Sequence, residues 1–160
     1  MRNFDVELAL AIAAISAPAP AGGDSDEPLV RACPQGGRII VQGTTSLEEE
    51  GSVTVRRWDG VMRFEECGVL IRSAEAIVNG EMQVEGEARF QHPPEGSERG
   101  TLVFQESRQR GSITYLRERE TGTCTSDLSH AFDPVSREYL ITGTACGTPV
   151  DARMLAPPAP

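Results

Sequence analysis

Residues 81–90 (EMQVEGEARF) alternate apolar and polar side chains without a break. Met82, Val84, Gly86, Ala88 and Phe90 fall on one side, and Glu81, Gln83, Glu85, Glu87 and Arg89 on the other. A period of two held this long describes a strand with one buried and one wet face. A helix, with its period of 3.6, cannot keep such a pattern on one side. The chain is therefore expected to be built from strands.

Asn79-Gly80 precedes this segment and favours a two-residue type I′ turn, because both central positions need positive φ. That turn predicts a hairpin in which Val78 opposes Glu81, Ile77 opposes Met82, Ile71 opposes Ala88 and Val69 opposes Phe90. Asp59-Gly60 is a second signal of the same kind, between strands at 52–58 and 61–66. Met62 and Phe64 are apolar in the even phase, whereas Val69 and Ile71 are apolar in the odd phase. The flip predicts a bulge or a change of sheet at Cys67-Gly68. Residues 101–106 with 112–117 read as a third hairpin, and 123–131 with 138–146 as a fourth around Asp133-Pro134. A further strand is expected at 38–44. With 16 Gly, 11 Pro and only 5% aromatic residues, many turns and an aliphatic core are expected. The predicted fold class is all-β: an antiparallel meander of about nine strands, forming a small β-barrel or a two-layer sandwich.

Four cysteines punctuate the chain: Cys33, Cys67, Cys124 and Cys146. None forms a Cys-x-x-Cys pair, and no histidine lies near one at zinc spacing. Widely spaced cysteines in even number suit disulfides in an oxidising compartment. The fourth hairpin centres near Val135, which places Cys124 opposite Cys146 on adjacent strands. Cys33 then pairs with Cys67 by elimination, tying the start of the domain to the expected bulge.

Residues 8–17 (LALAIAAISA) form an apolar run with the length of a signal-peptide core. A membrane span would need roughly twenty residues. Ala19-Pro20-Ala21 before Gly22 fits a cleavage site, although Asp5 and Glu7 against Arg2 depart from the usual positive start. The expected organisation is a signal peptide at 1–21, a linker at 22–32, a two-disulfide β-domain at 33–150 and a disordered tail at 151–160. A secreted or periplasmic location follows. The net charge of −9, from 24 acidic against 15 basic residues, repels phosphate backbones and argues against nucleic acid as a partner.

Cys33-Pro34-Gln35-Gly36-Gly37 opens the domain, Cys67 follows a strand, Gly122-Thr123-Cys124 starts a late strand, and Cys146-Gly147 closes the domain. In these landmarks the chain resembles uncharacterised exported bacterial β-domain proteins with four similarly placed cysteines. The resemblance covers the expected folded domain. It implies a secreted or cell-envelope domain and carries no activity with it.

Residues with chemical potential are few. Ser126, Asp127 and His130 invite a hydrolase reading, but on a strand Ser126 and His130 share one face while Asp127 and Ser129 point to the other. A triad needs its three members in hydrogen-bond contact. Glu48-Glu49-Glu50 before Gly51 reads as a charged hairpin loop. Asp24-Ser25-Asp26-Glu27 lacks the glycine and later glutamate of a calcium loop. Glu65-Glu66 sits at the expected bulge, where side chains are re-aimed. Arg56-Arg57 and Arg108-Gln109-Arg110 read as solvated hairpin tips, His92 as a loop residue, and Trp58 as a cover for the end of the second hairpin. No catalytic, metal or cofactor site is predicted. The expected function is that of an exported non-enzymatic domain that binds a partner or builds the cell envelope. Three alternatives stand beside it: a secreted hydrolase using Glu65, Glu66 or His130, a small barrel holding a lipophilic ligand, and an inhibitor or adhesion partner acting through Trp58 or Arg108 and Arg110.

Overall fold

The structure is a computed structural model, and it describes residues 4–15, 27–93 and 100–155. A helix, α1 (Phe4–Ile15), is followed by eight strands. These are β1 (Leu29–Ala32), β2 (Arg38–Glu50), β3 (Val53–Ile71), β4 (Ala74–Gln91), β5 (Thr101–Arg117), β6 (Glu120–Asp133), β7 (Glu138–Ala145) and β8 (Thr148–Leu155). All pair antiparallel with their sequence neighbours in one sheet, in the order β1 to β8. The expected all-β meander is thus the fold. It is one sheet rather than a sandwich, and among the described residues β1 and β8 pair on one side only, so the sheet is not closed. The sheet runs from Leu29 to Leu155, past both expected domain limits. The cleavage motif at 19–21 and the end of the tail lie outside the described residues.

Three predicted hairpins are corrected. Asn79-Gly80 lies inside β4, where Gly80 pairs with Phe64 on one side and Ile113 on the other. Asp59-Gly60 lies inside β3, opposite Thr44 and Gly43. Residues 101–117 are a single strand. The real turn between β3 and β4 is Arg72-Ser73, with φ of 50° and 71°. The physical reason is visible in the phase of alternation. Ala76, Val78, Met82 and Ala88 are all buried in the even phase, so the strand passes through Asn79-Gly80 unturned. The phase reverses between Ile71 and Ala76, where the chain does turn. The strands are correspondingly fewer and longer than expected: β3 has 19 residues and β4 has 18. The hairpin around Asp133-Pro134 forms as predicted, with Asp133 paired to Glu138.

The glycines inside the strands do a different job from turning the chain. Gly43, Gly60, Gly80, Gly86, Gly111 and Gly143 all fall on the face that carries Met62, Met82, Leu128 and Ile141. Removing side chains from one face lets a long sheet curl toward that face. Gly43 and Gly60 show this directly: a Cβ on Gly43 would lie 2.6 Å from the Gly60 Cα. The curl is strong enough that α1 touches β3 on one side and β7 and β8 on the other. The helix therefore lies in the concavity. It is apolar on almost every side in sequence, as a helix packed inside a protein tends to be.

The predicted irregularity at Cys67-Gly68 is a bulge between Phe64 and Cys67. Glu66 sits there at φ 47°, and its N–H donates to Asn79 Oδ1 at 2.8 Å. The Cys33–Gly37 segment docks on this bulge through Gln35 N–H to Gly68 O at 3.1 Å and Gly68 N–H to Gly36 O at 2.9 Å. The Cys33–Cys67 disulfide closes the same contact, with Cα atoms 5.4 Å apart. Cys124 and Cys146 are joined across β6 and the β7–β8 turn, with Cα atoms 4.4 Å apart. The register centres the β6–β7 turn half a residue later than predicted, so the Cys146 N–H meets Thr125 O. Two disulfides fit an oxidising, extracellular or periplasmic environment.

Candidate functional site: the concave face of the sheet

The side chains of the concave face divide into two zones along the strands. At the end nearer the bulge the face is apolar. Ile39, Met62, Phe64, Val69, Ile71, Val78, Met82 and Ile113 are buried there together with Cys33, Cys67 and Cys124. Two turns of α1 sit on this zone, with Leu8 and Ile12 exposed by only 0% and 3%. Their i, i+4 spacing puts both on one side of the helix. Leu10 packs on a second apolar group formed by Leu128, Ile141, Ala145 and Val150. The amino end of the helix is held by polar and aromatic contacts. The Phe4 ring is 5.3 Å from Tyr115, with the Arg117 guanidinium 4.6 Å from its centroid. Arg72 Nε donates to Glu7 Oε1 at 2.7 Å.

Further along the strands polar side chains join this face on β5 and β6, interleaved with the buried Ala88, Leu128 and Ile141. Gln105, Ser107 and Gln109 alternate on β5, and Ser126 and His130 on β6. Ser107 pairs with His130, and Gln109 pairs with Leu128, so His130 and Gln109 are diagonal neighbours. Their Cα atoms are then about 7–8 Å apart. Gln105, Gln109, Ser126 and His130 are all buried. Tyr139 donates its hydroxyl to Gln105 Oε1 at 3.1 Å, and burial raises the phenol pKa, so the proton stays on oxygen. His130 differs: among the described residues neither Nδ1 nor Nε2 has a hydrogen-bond partner, and Gln109 Oε1 also lacks one. Burial lowers the His130 pKa, which keeps the ring neutral, with one donor and one acceptor nitrogen.

Trp58 borders this polar zone. It lies in the cross-strand row that continues through Gly86 and Ser107 to His130. Its indole lies over Gly86, where a Cβ would come within 2.5 Å of Trp58 Cε2. The ring is therefore not at a hairpin end: it flanks the concavity in mid-strand. Arg56, one row further on, is half-buried, and burial lowers its pKa.

The opposite, convex face carries most of the charge. Arg57 bonds Glu48 at 2.7 Å and Glu87 at 2.9 Å, and Arg89 bonds Glu87 at 2.7 Å. Arg108 holds Asp127 in a two-pronged pair at 2.7 and 2.6 Å, which lowers the Asp127 pKa. Arg108 and Arg110 are thus not a hairpin tip. They line a shallow convex hollow of about 120 Å³, while Gln109 between them points inward. Glu49 is not in a loop but ends β2, bonded to His92 Nε2 at 2.7 Å and to Thr54. Among the described residues no group of three His, Cys, Asp or Glu is arranged to hold a metal ion. Asp24, Ser25 and Asp26 lie outside the described residues.

Ser126 and His130 do share one face with Asp127 on the other, as the strand pattern predicts. Glu65 pairs with Arg38 at 2.6 Å on the convex side. It therefore lies across the sheet from His130, and the residues of the hydrolase alternative do not converge. Gln105 and Gln109 were not legible as candidates by residue type. Their phase places them: Gln109 alternates inward with Gly111 and Ile113, between the outward Arg108 and Arg110. No described helix is long and apolar enough to cross a membrane. No family model, no curated protein and no solved structure matches this chain.

Proposed function

We propose that this chain is an exported, non-enzymatic binding domain whose curled sheet holds an elongated apolar ligand in its concavity. The observation that carries this reading is α1 itself. Leu8 and Ile12 are buried on one apolar group of the concave face, and Leu10 packs, partly buried, on the other. α1 falls within the segment whose sequence has the features of a signal peptide. Its removal on export would leave the same face open to another apolar rod. An acyl chain is narrower than a helix about 10 Å across and enters the same trough. Burial of its methylenes contributes about 0.8 kcal/mol each. Neither disulfide and none of the seven strand pairings involves a residue of α1.

Intact-mass analysis of protein recovered from the periplasm or medium of an expressing cell tests export. The expected mass lacks residues 1–21. Fluorescence of N-phenyl-1-naphthylamine, which brightens in apolar surroundings, tests the trough. Saturable enhancement that is competed by a synthetic peptide of residues 1–21 supports the reading. A chain that stays in the cytoplasm, or one that leaves the probe dark, refutes it.

A further inference from the structure

We propose that the polar end of the concavity, built on His130 and Gln109, is a head-group site for an amphiphile whose head is neutral and carries both hydrogen-bond donors and acceptors. This rests on the concave-face reading above and adds the chemistry of what binds there. Three facts converge. His130 and Gln109 are exposed by only 6% and 4%, and three of their polar atoms have no partner among the described residues. A buried polar atom left unpaired costs about 1–3 kcal/mol, which a bound group that pairs it recovers. Both residues point into the trough that receives the apolar rod, in register with the apolar zone rather than apart from it. Trp58 flanks the same row and offers a flat wall.

The inventory of open positions specifies the ligand. The neutral imidazole presents one N–H and one lone pair, and Gln109 presents a carbonyl oxygen. A carboxamide matches two members of this set: its oxygen accepts from the imidazole N–H, and its NH₂ donates to Gln109 Oε1. A hydroxyl pair does the same. A carboxylate has no hydrogen to donate, so it would leave Gln109 Oε1 unpaired beside a negative charge. Along this face Arg56 sits three strands from His130 and one row further on, about 16 Å away by strand spacing.

The test uses protein expressed from the full gene and purified with whatever amino terminus it carries. Dodecanamide and dodecanoate are compared at pH 8 as competitors of bound N-phenyl-1-naphthylamine. The expected result is displacement by the amide at a concentration at least tenfold lower. In His130→Phe and in Gln109→Leu the gap closes to within twofold while the probe still binds. His130→Gln, which restores a donor and an acceptor, keeps part of the gap. Equal displacement by the two competitors, or a gap that survives both apolar variants, overturns the head-group assignment and leaves the trough standing. Tighter binding of dodecanoate also overturns it, in favour of Arg56 as the anchor. A probe that does not bind the native protein overturns the trough, and the head-group site with it.

Discussion

Replacing Cys33 and Cys67 together by alanine releases a loop whose ends are 34 residues apart in sequence. In the chain-entropy treatment, that loop length corresponds to about 12.6 cal/mol/K, or about 3.8 kcal/mol at 25 °C. The Cys124–Cys146 bridge spans 22 residues, which gives about 3.4 kcal/mol by the same relation. Single domains are stable by about 5–15 kcal/mol, so either loss is large and both together bring the chain near unfolding. The assay is guanidinium unfolding followed by circular dichroism, with the native protein kept oxidised. With a slope near 4 kcal/mol/M, a loss of 3.8 kcal/mol lowers the midpoint by about 1 M. The buried positions of Cys33 and Cys67 add a packing loss in the same direction. A midpoint that falls by less than about 0.25 M at unchanged slope would refute the reasoning. It would mean that the unfolded chain is already held compact there without the bridge. A non-reducing peptide map reads the covalent claim separately: the peptide carrying Cys33 must migrate joined to that carrying Cys67.

Further outcomes follow from other parts of the sheet. His130 has a folded pKa below its unfolded value of about 6.5, so above that pH it is neutral in both states and adds no pH dependence. Below it the unfolded chain takes a proton that the native ring resists, so stability falls by up to about 1.4 kcal/mol per pH unit down to the folded pKa. Urea midpoints measured at pH 7 and pH 5.5 should therefore converge in His130→Phe relative to the native protein, and an unchanged gap would sink this account. Gly86→Ala places a Cβ against the Trp58 ring and 2.8 Å from Glu106 O. It should cost about 1–3 kcal/mol by overpacking. Because Trp58 is the single tryptophan, its emission should shift to the red, and unaltered emission would refute the stacking. In full-length chain that retains α1, Leu8→Asp buries a carboxylate at a position with 0% exposure. The helix should leave the trough, read as new proteolytic cleavage within the first fifteen residues, while the sheet keeps its circular dichroism.

Local readings and long-range outcomes divide cleanly along this chain. The alternation at 81–90 gives a strand whose wet and buried faces are those of β4. The odd-even flip after Phe64 gives a bulge, and counting outward from Asp133-Pro134 brings Cys124 to Cys146. Each of these is local, because side chains on a strand alternate by covalent geometry alone. The turns misread because Asn-Gly and Asp-Gly suit both a type I′ turn and a close approach of strands. What distinguishes the two is whether alternation keeps its phase across the dipeptide. It does so through Asn79-Gly80 and fails to do so across Arg72-Ser73, a pair with no glycine to advertise it.

The sequence by itself determined that this is a strand-built chain with two disulfides, a charged convex face and an aliphatic concave one. The face pattern is set by neighbours a few residues apart, and the cysteine count and spacing are read directly from the chain. Only the tertiary structure decided that the sheet stays open, that its glycines gather on the inner face and curl it, and that α1 lies in the hollow. It alone brought His130 beside Gln109, with both imidazole nitrogens and Gln109 Oε1 lacking a partner among the described residues. Curvature and enclosure are sums over all eight strands, and burial of a given side chain depends on what the far side of the sheet brings over it.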